Sequence, residues 1–190
     1  MRTMETVPAF PSGRPLTRAD LESMPDDGHR FELVDGVLVM SPSPRPLHQR
    51  AVARLLAALT LSCPADMEVL PAPVDVILAD DTVLIPDVIV GRRENFTLRG
   101  LEGPPVLAVE VHSPSTRLVD LELKRAKLQE AGCPNYWLVD PDIPTLRCLA
   151  LRGDRYVETH SLAGEEFADL AEPYPVRLSP DSLVNPYGID

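Results

Sequence analysis

Between Val106 and Val139 the chain runs from a short apolar segment through a helix into a second apolar segment, and that passage restricts the fold more than any other stretch. Val106-Leu107-Ala108-Val109-Glu110-Val111 has the length and apolar character of a buried strand. Ser113-Pro114-Ser115-Thr116 ends it and caps a helix predicted over Arg117–Ala131. Gly132 stops that helix and Pro134 follows. Tyr136-Trp137-Leu138-Val139 is the next strand. Upstream, Thr17 opens a short capped helix with an acid three positions on. Phe31–Val34 and Val37–Met40 flank Asp35-Gly36, the strongest short hairpin signal. Ala51, Val52, Leu55, Leu56 and Leu59 recur at helical spacing. Glu68–Leu78 and Val83–Val90 read as two strands joined at Asp80-Asp81, and Thr145–Leu151 with Arg155–Ser161 as a final antiparallel pair. No internal repeat is present. The order predicts an α/β fold, a mixed central β-sheet flanked by helices.

The 190 residues, 44% of them hydrophobic, suit one domain with a sizeable core. We expect residues 1–16 to form a flexible N-terminal arm, residues 17–162 the domain, and residues 163–190 an acidic, proline-containing segment packed on the surface of that domain. No apolar run approaches the roughly 20 residues that span a bilayer. The first residues lack the apolar stretch of a signal peptide, so a cytoplasmic location is expected. Cys63, Cys133 and Cys148 are widely spaced, with no Cys/His cluster, and read as small buried hydrophobes rather than zinc ligands. The net charge of −11 runs against a nucleic-acid partner, but unevenly: eight acids and two bases lie from Gly153 onward, against 21 acids and 16 bases before it.

Three acids interrupt apolar strands: Glu32, Asp87 and Glu110. A carboxylate in a buried strand is costly unless a base or a metal compensates it. Carboxylates converging on one point suit a hard divalent cation such as Mg²⁺. Singly, each is better read as a solvated strand end. Asp87 and Glu110 together favour the metal, because both end apolar strands that should be neighbours. His112 is either an aid to that site or a strand-end histidine bonded to a loop. Lys124, with Leu121 and Leu128 at helical spacing, borders an inward stripe. It can place its ammonium beside the acid pair or form a surface pair with Asp120, and Lys127 is a second candidate. His48, with Arg45 and Arg50, is either a phosphate cluster or a solvated helix start.

FELVDGVLVM, the histidine of the next helix, IPDVIV, LAVEVHSPST, Asp120-x-x-x-Lys124 and AGCPNYWLVDP in this order resemble a large bacterial family of restriction endonucleases of the Uma type, within the PD-(D/E)XK nuclease superfamily. The likeness runs from about Thr17 to Tyr156. It implies a restriction-endonuclease-like core and an Mg²⁺- or Mn²⁺-dependent endonuclease acting on DNA. Asp87 matches the PD element and Glu110 the second acid, both as metal ligands, with Glu32 completing the shell. In many superfamily members a lysine follows the second acid by two positions. Here His112 stands there, and the family's lysine on the following helix corresponds to Lys124. Catalysis is thus assigned to Asp87, Glu110 and Lys124, with His48, His112 and Asp120 as accessory candidates. Such nucleases often pair two sites across a two-fold axis, so a homodimer is expected. The alternative is a non-catalytic binding or regulatory module that retains the nuclease fold.

Overall fold

The Asp35-Gly36 signal becomes a tight hairpin. In a computed structural model that describes residues 13–24, 30–41, 43–112 and 119–185, β1 (Arg30–Val34) pairs antiparallel with β2 (Val37–Ser41), Glu32 facing Val39. Asp35 and Gly36 both take positive φ, 50° and 73°, as a type I′ turn requires. A Cβ on Gly36 would also lie 2.4 Å from Cβ of Pro15. Gly36→Ala is therefore expected to lower the unfolding free energy by about 1–3 kcal/mol. Urea denaturation checks this, and an unchanged midpoint would contradict it.

Around this hairpin the chain forms α1 (Arg18–Glu22), α2 (Pro46–Ser62), β3 (Met67–Pro71), β4 (Val76–Ala79), β5 (Thr82–Leu84), β6 (Val88–Arg92), β7 (Leu101–Glu102) and β8 (Leu107–Val111). A π-helical turn, Val119–Lys124, runs into α3 (Arg125–Glu130). Then come β9 (Asn135–Asp140), β10 (Thr145–Arg152), β11 (Arg155–Ala163), β12 (Ala168–Leu170), β13 (Val176–Leu178) and α4 (Pro180–Val184). The cap expected at Ser113–Thr116 and the helix start at Arg117 lie outside the described residues, as do residues 1–12 of the arm.

Among the described residues there are two large sheets where one was expected. One has the order β2-β1-β5-β4-β7 and the other β11-β10-β9-β8-β6-β3. Both long strand predictions break, so that β3 and β6 join one sheet while β4 and β5 join the other. The breaks fall at Pro71-Ala72-Pro73 and at Pro86, where the missing N–H groups interrupt a ladder. β8 and β9 are parallel neighbours, bridged by the helical passage between them.

The central strands of the six-stranded sheet, β6, β8 and β9, are buried on both faces. Val88, Val90, Val109, Val111 and Trp137 pack with Val52, Leu55 and Leu59 of α2. Ala108, Tyr136 and Leu138 face the other way, onto Leu128 of α3 and onto Val34 and Leu84 of the first sheet. The last segment does more than cover the surface. Leu170, Tyr174, Val176, Leu178, Leu183 and Val184 are buried in the α2 cluster, and the Tyr174 hydroxyl donates to the Leu59 carbonyl at 3.0 Å. No helix among the described residues is long and apolar enough to cross a membrane.

Candidate active site

Strand alternation decides where Glu110 points. Val109 and Val111 face α2, so Glu110 between them faces α3 and the first sheet. Its carboxylate is almost wholly buried there. β1 directs Glu32 into the same space, also buried. Lys124, the last residue of the π-helical turn, joins them: its Nζ lies 2.9 Å from Glu32 Oε1 and 3.0 Å from Glu110 Oε1. The ammonium is 5% exposed. The three form a buried ionic cluster, two carboxylates on one ammonium, rather than a surface ion pair. The side chain of Asp120 lies outside the described residues.

Asp87 stands one residue before β6, where the ladder to β8 runs out after Val88↔Val109. Its side chain continues what the backbone does not: Val111 N–H donates to Asp87 Oδ2 at 2.7 Å. Asp87 is thereby tied to the peptide group that joins Glu110 to Val111. His48 Nε2 reaches the same oxygen at 3.2 Å. His48 is buried, as are Ala51, Val52, Leu55 and Leu59 of its helix, so the solvated helix start is not what forms.

His112 is buried just past β8, and its N–H extends the β8–β9 ladder to Val139 O at 2.7 Å. Lys127 is held elsewhere, 2.7 Å from Asp35 and 3.0 Å from Glu130, at a cleft of about 350 Å³. Those bonds raise its pKa. Arg45 pairs with Asp142, and Arg50 donates to the Val184 carbonyl, so neither forms a phosphate cluster with His48. Burial pushes the Cys133 and Cys148 thiols up to about 11 and about 12, which removes them as nucleophiles near neutral pH.

Among the described residues no three His, Cys, Asp or Glu side chains gather as a metal-holding group. Mg²⁺ does not require three. It is commonly held by one or two carboxylates, with waters and substrate phosphate completing the shell. The Val111 N–H bond and the His48 contact both fall on Asp87 Oδ2, and among the described residues Oδ1 takes no hydrogen bond. Asp87 and Glu110 offer hard carboxylate oxygens of the kind such an ion takes. What sequence reasoning missed is the His48–Asp87 contact. The signal was there: His48 lies three residues before Ala51 and four before Val52, one turn back along the apolar stripe.

A six-stranded mixed sheet, helices on it, and an acid pair with a lysine at the end of β8 define an α/β domain of the nuclease fold. The chain belongs to the Uma2 family, described as "Putative restriction endonuclease", whose model matches residues 18–182. Among solved structures it is similar to a protein from Anabaena variabilis ATCC 29413 described as "a putative nuclease belonging to DUF820". The identity is 17%, with 90% of this chain and 98% of that one covered and a TM-score of 0.71. At that identity the likeness speaks to the fold. No curated protein matches the chain.

Proposed function

We propose that this chain is an Mg²⁺-dependent endonuclease that hydrolyses phosphodiester bonds of DNA. The observation that carries this reading is the reach of Lys124. The position two after Glu110 holds His112, and the lysine from the following helix brings its ammonium within 3.0 Å of the Glu110 carboxylate instead.

Asp87 and Glu110 would hold the metal, which when bound neutralises the scissile phosphate and makes water a better nucleophile. Lys124 supplies fixed positive charge beside the reacting phosphate, in a site shielded from water where such charge acts strongly. Glu32 orients that ammonium. It joins the metal shell only by releasing Lys124. The homodimer belongs to the same reading, with a sedimenting mass near twice the 20.9 kDa of the chain.

Cleavage of single- and double-stranded DNA in Mg²⁺ or Mn²⁺ tests the function. We expect Asp87→Ala and Glu110→Gln to reduce the rate by at least about 100-fold, since ligand loss removes more than the 10–100-fold typical of supporting groups. Millimolar metal should raise the melting temperature of the wild type, and less so that of either variant. The net charge of −11 favours one other reading, a binding module without catalysis. Metal-independent melting with no cleavage of any DNA form would select it.

A further inference from the structure

The buried stripe of α2 is apolar except at its first member. Ala51, Val52, Leu55 and Leu59 pack on the sheet, and His48 precedes them on the same face, 7% exposed. An imidazole in that place loses water at both ring nitrogens, so it is costly unless its bonds replace that water. One polar contact is made, Nε2 lying 3.2 Å from Asp87 Oδ2. Nδ1 is buried with no hydrogen-bond partner among the described residues. The ring's polar contact is with the carboxylate assigned to the metal.

The effect on Asp87 is specific. Oδ2 accepts from the Val111 peptide at 2.7 Å and lies 3.2 Å from His48 Nε2. A strand peptide and a side chain of a 17-residue helix thus meet the carboxylate at one oxygen. The oxygen they meet is Oδ2, which leaves Oδ1 as the one for a metal. Groups on rigid elements that lock a ligand's rotamer preorganise a site.

We propose that His48 is a positioning residue that orients Asp87 for metal binding; this rests on the nuclease reading above. It acts through Asp87 and touches neither the metal nor the substrate.

The test is Mn²⁺ binding to the full chain by titration calorimetry, without nucleic acid, in wild type, His48→Gln, His48→Asn and His48→Leu. Glutamine carries an amide N–H near the place of Nε2, whereas the shorter asparagine does not reach it. Wild type and His48→Gln should bind within a few-fold of each other. His48→Asn and His48→Leu should bind about 10–100-fold more weakly, the usual cost of losing a group that orients a ligand. Melting without metal reports folding separately, and a purely structural histidine would lower it without splitting glutamine from asparagine in Mn²⁺ affinity. If all folded variants bind like wild type, or if glutamine and asparagine weaken binding alike, the proposal is overturned and the nuclease reading survives. Absence of Mn²⁺ binding by the wild type overturns both.

Discussion

Lys124→Met is expected to lower the unfolding free energy by about 3–5 kcal/mol, the range for removing one partner of a buried ion pair. Methionine fills similar space, so packing is largely retained and the loss is electrostatic. Glu32 and Glu110 would then face each other across a site in which each carboxylate is no more than 3% exposed. Exposed pairs behave differently. Arg147 and Glu158 sit 2.7 Å apart with both side chains at least 40% exposed, and Arg147→Met should cost less than about 1 kcal/mol. Urea unfolding of the two variants side by side makes the comparison. A deficit for Lys124→Met as small as that for Arg147→Met would mean that the two carboxylates reach water. Replacing all three charges, with Glu32→Leu and Glu110→Leu added, should recover most of the loss, because a matched apolar trio also satisfies the site. That triple variant would fold and lack nuclease activity, which separates what the cluster does for stability from what it does for chemistry.

Much of this arrangement was legible in the sequence, and the illegible parts have physical causes. The Asp35-Gly36 hairpin followed from a local rule, since two positive φ values in succession admit few residue pairs. Val88, Val90, Val109, Val111, Trp137 and Leu138 were recognisable as core because their strands are buried on both faces; all are at most 2% exposed. Which sheet a strand joins was not legible. Alternation reports which way side chains face and says nothing of the partner strand, so Glu68–Leu78 and Val83–Val90 each read as one strand instead of two that pass between sheets near Pro73 and Pro86. The two readings of Lys124 stayed open for another reason. Spacings of three and four residues assume an α-helix, and the turn that ends at Lys124 is π-helical, with one more residue per hydrogen-bonded ring. Asp87 was read together with Glu110, but the imidazole that meets it comes from His48, 39 positions earlier, a pairing that only the fold creates.

A chain ending at Ala163 is expected not to fold cooperatively. The residues after it look dispensable by composition: six acids and one base follow Ala163, so truncation would bring the net charge from −11 to −6 and relieve self-repulsion. Burial argues the other way, and its magnitude is larger. Leu170, Tyr174, Val176, Leu178, Leu183 and Val184, none more than 7% exposed, belong to the cluster that holds α2 on the six-stranded sheet. At about 1.5–3 kcal/mol for each fully buried apolar side chain, their loss removes on the order of 9–18 kcal/mol of gross stabilisation. Part of that is returned as the entropy of a segment no longer ordered. The remainder is still comparable with the whole stability of a typical domain, about 5–15 kcal/mol. The Leu59 carbonyl would also lose the Tyr174 hydroxyl. Because α2 carries His48, loosening it would release Asp87 before global unfolding is complete. Far-UV circular dichroism with a urea titration reads the outcome, and Leu183→Ala provides a graded control at about 2–5 kcal/mol. A truncated chain that unfolds in one sharp transition within about 1 kcal/mol of the full chain would show that the first 163 residues bury enough apolar surface alone, and that the acidic segment is a cover and not part of the core.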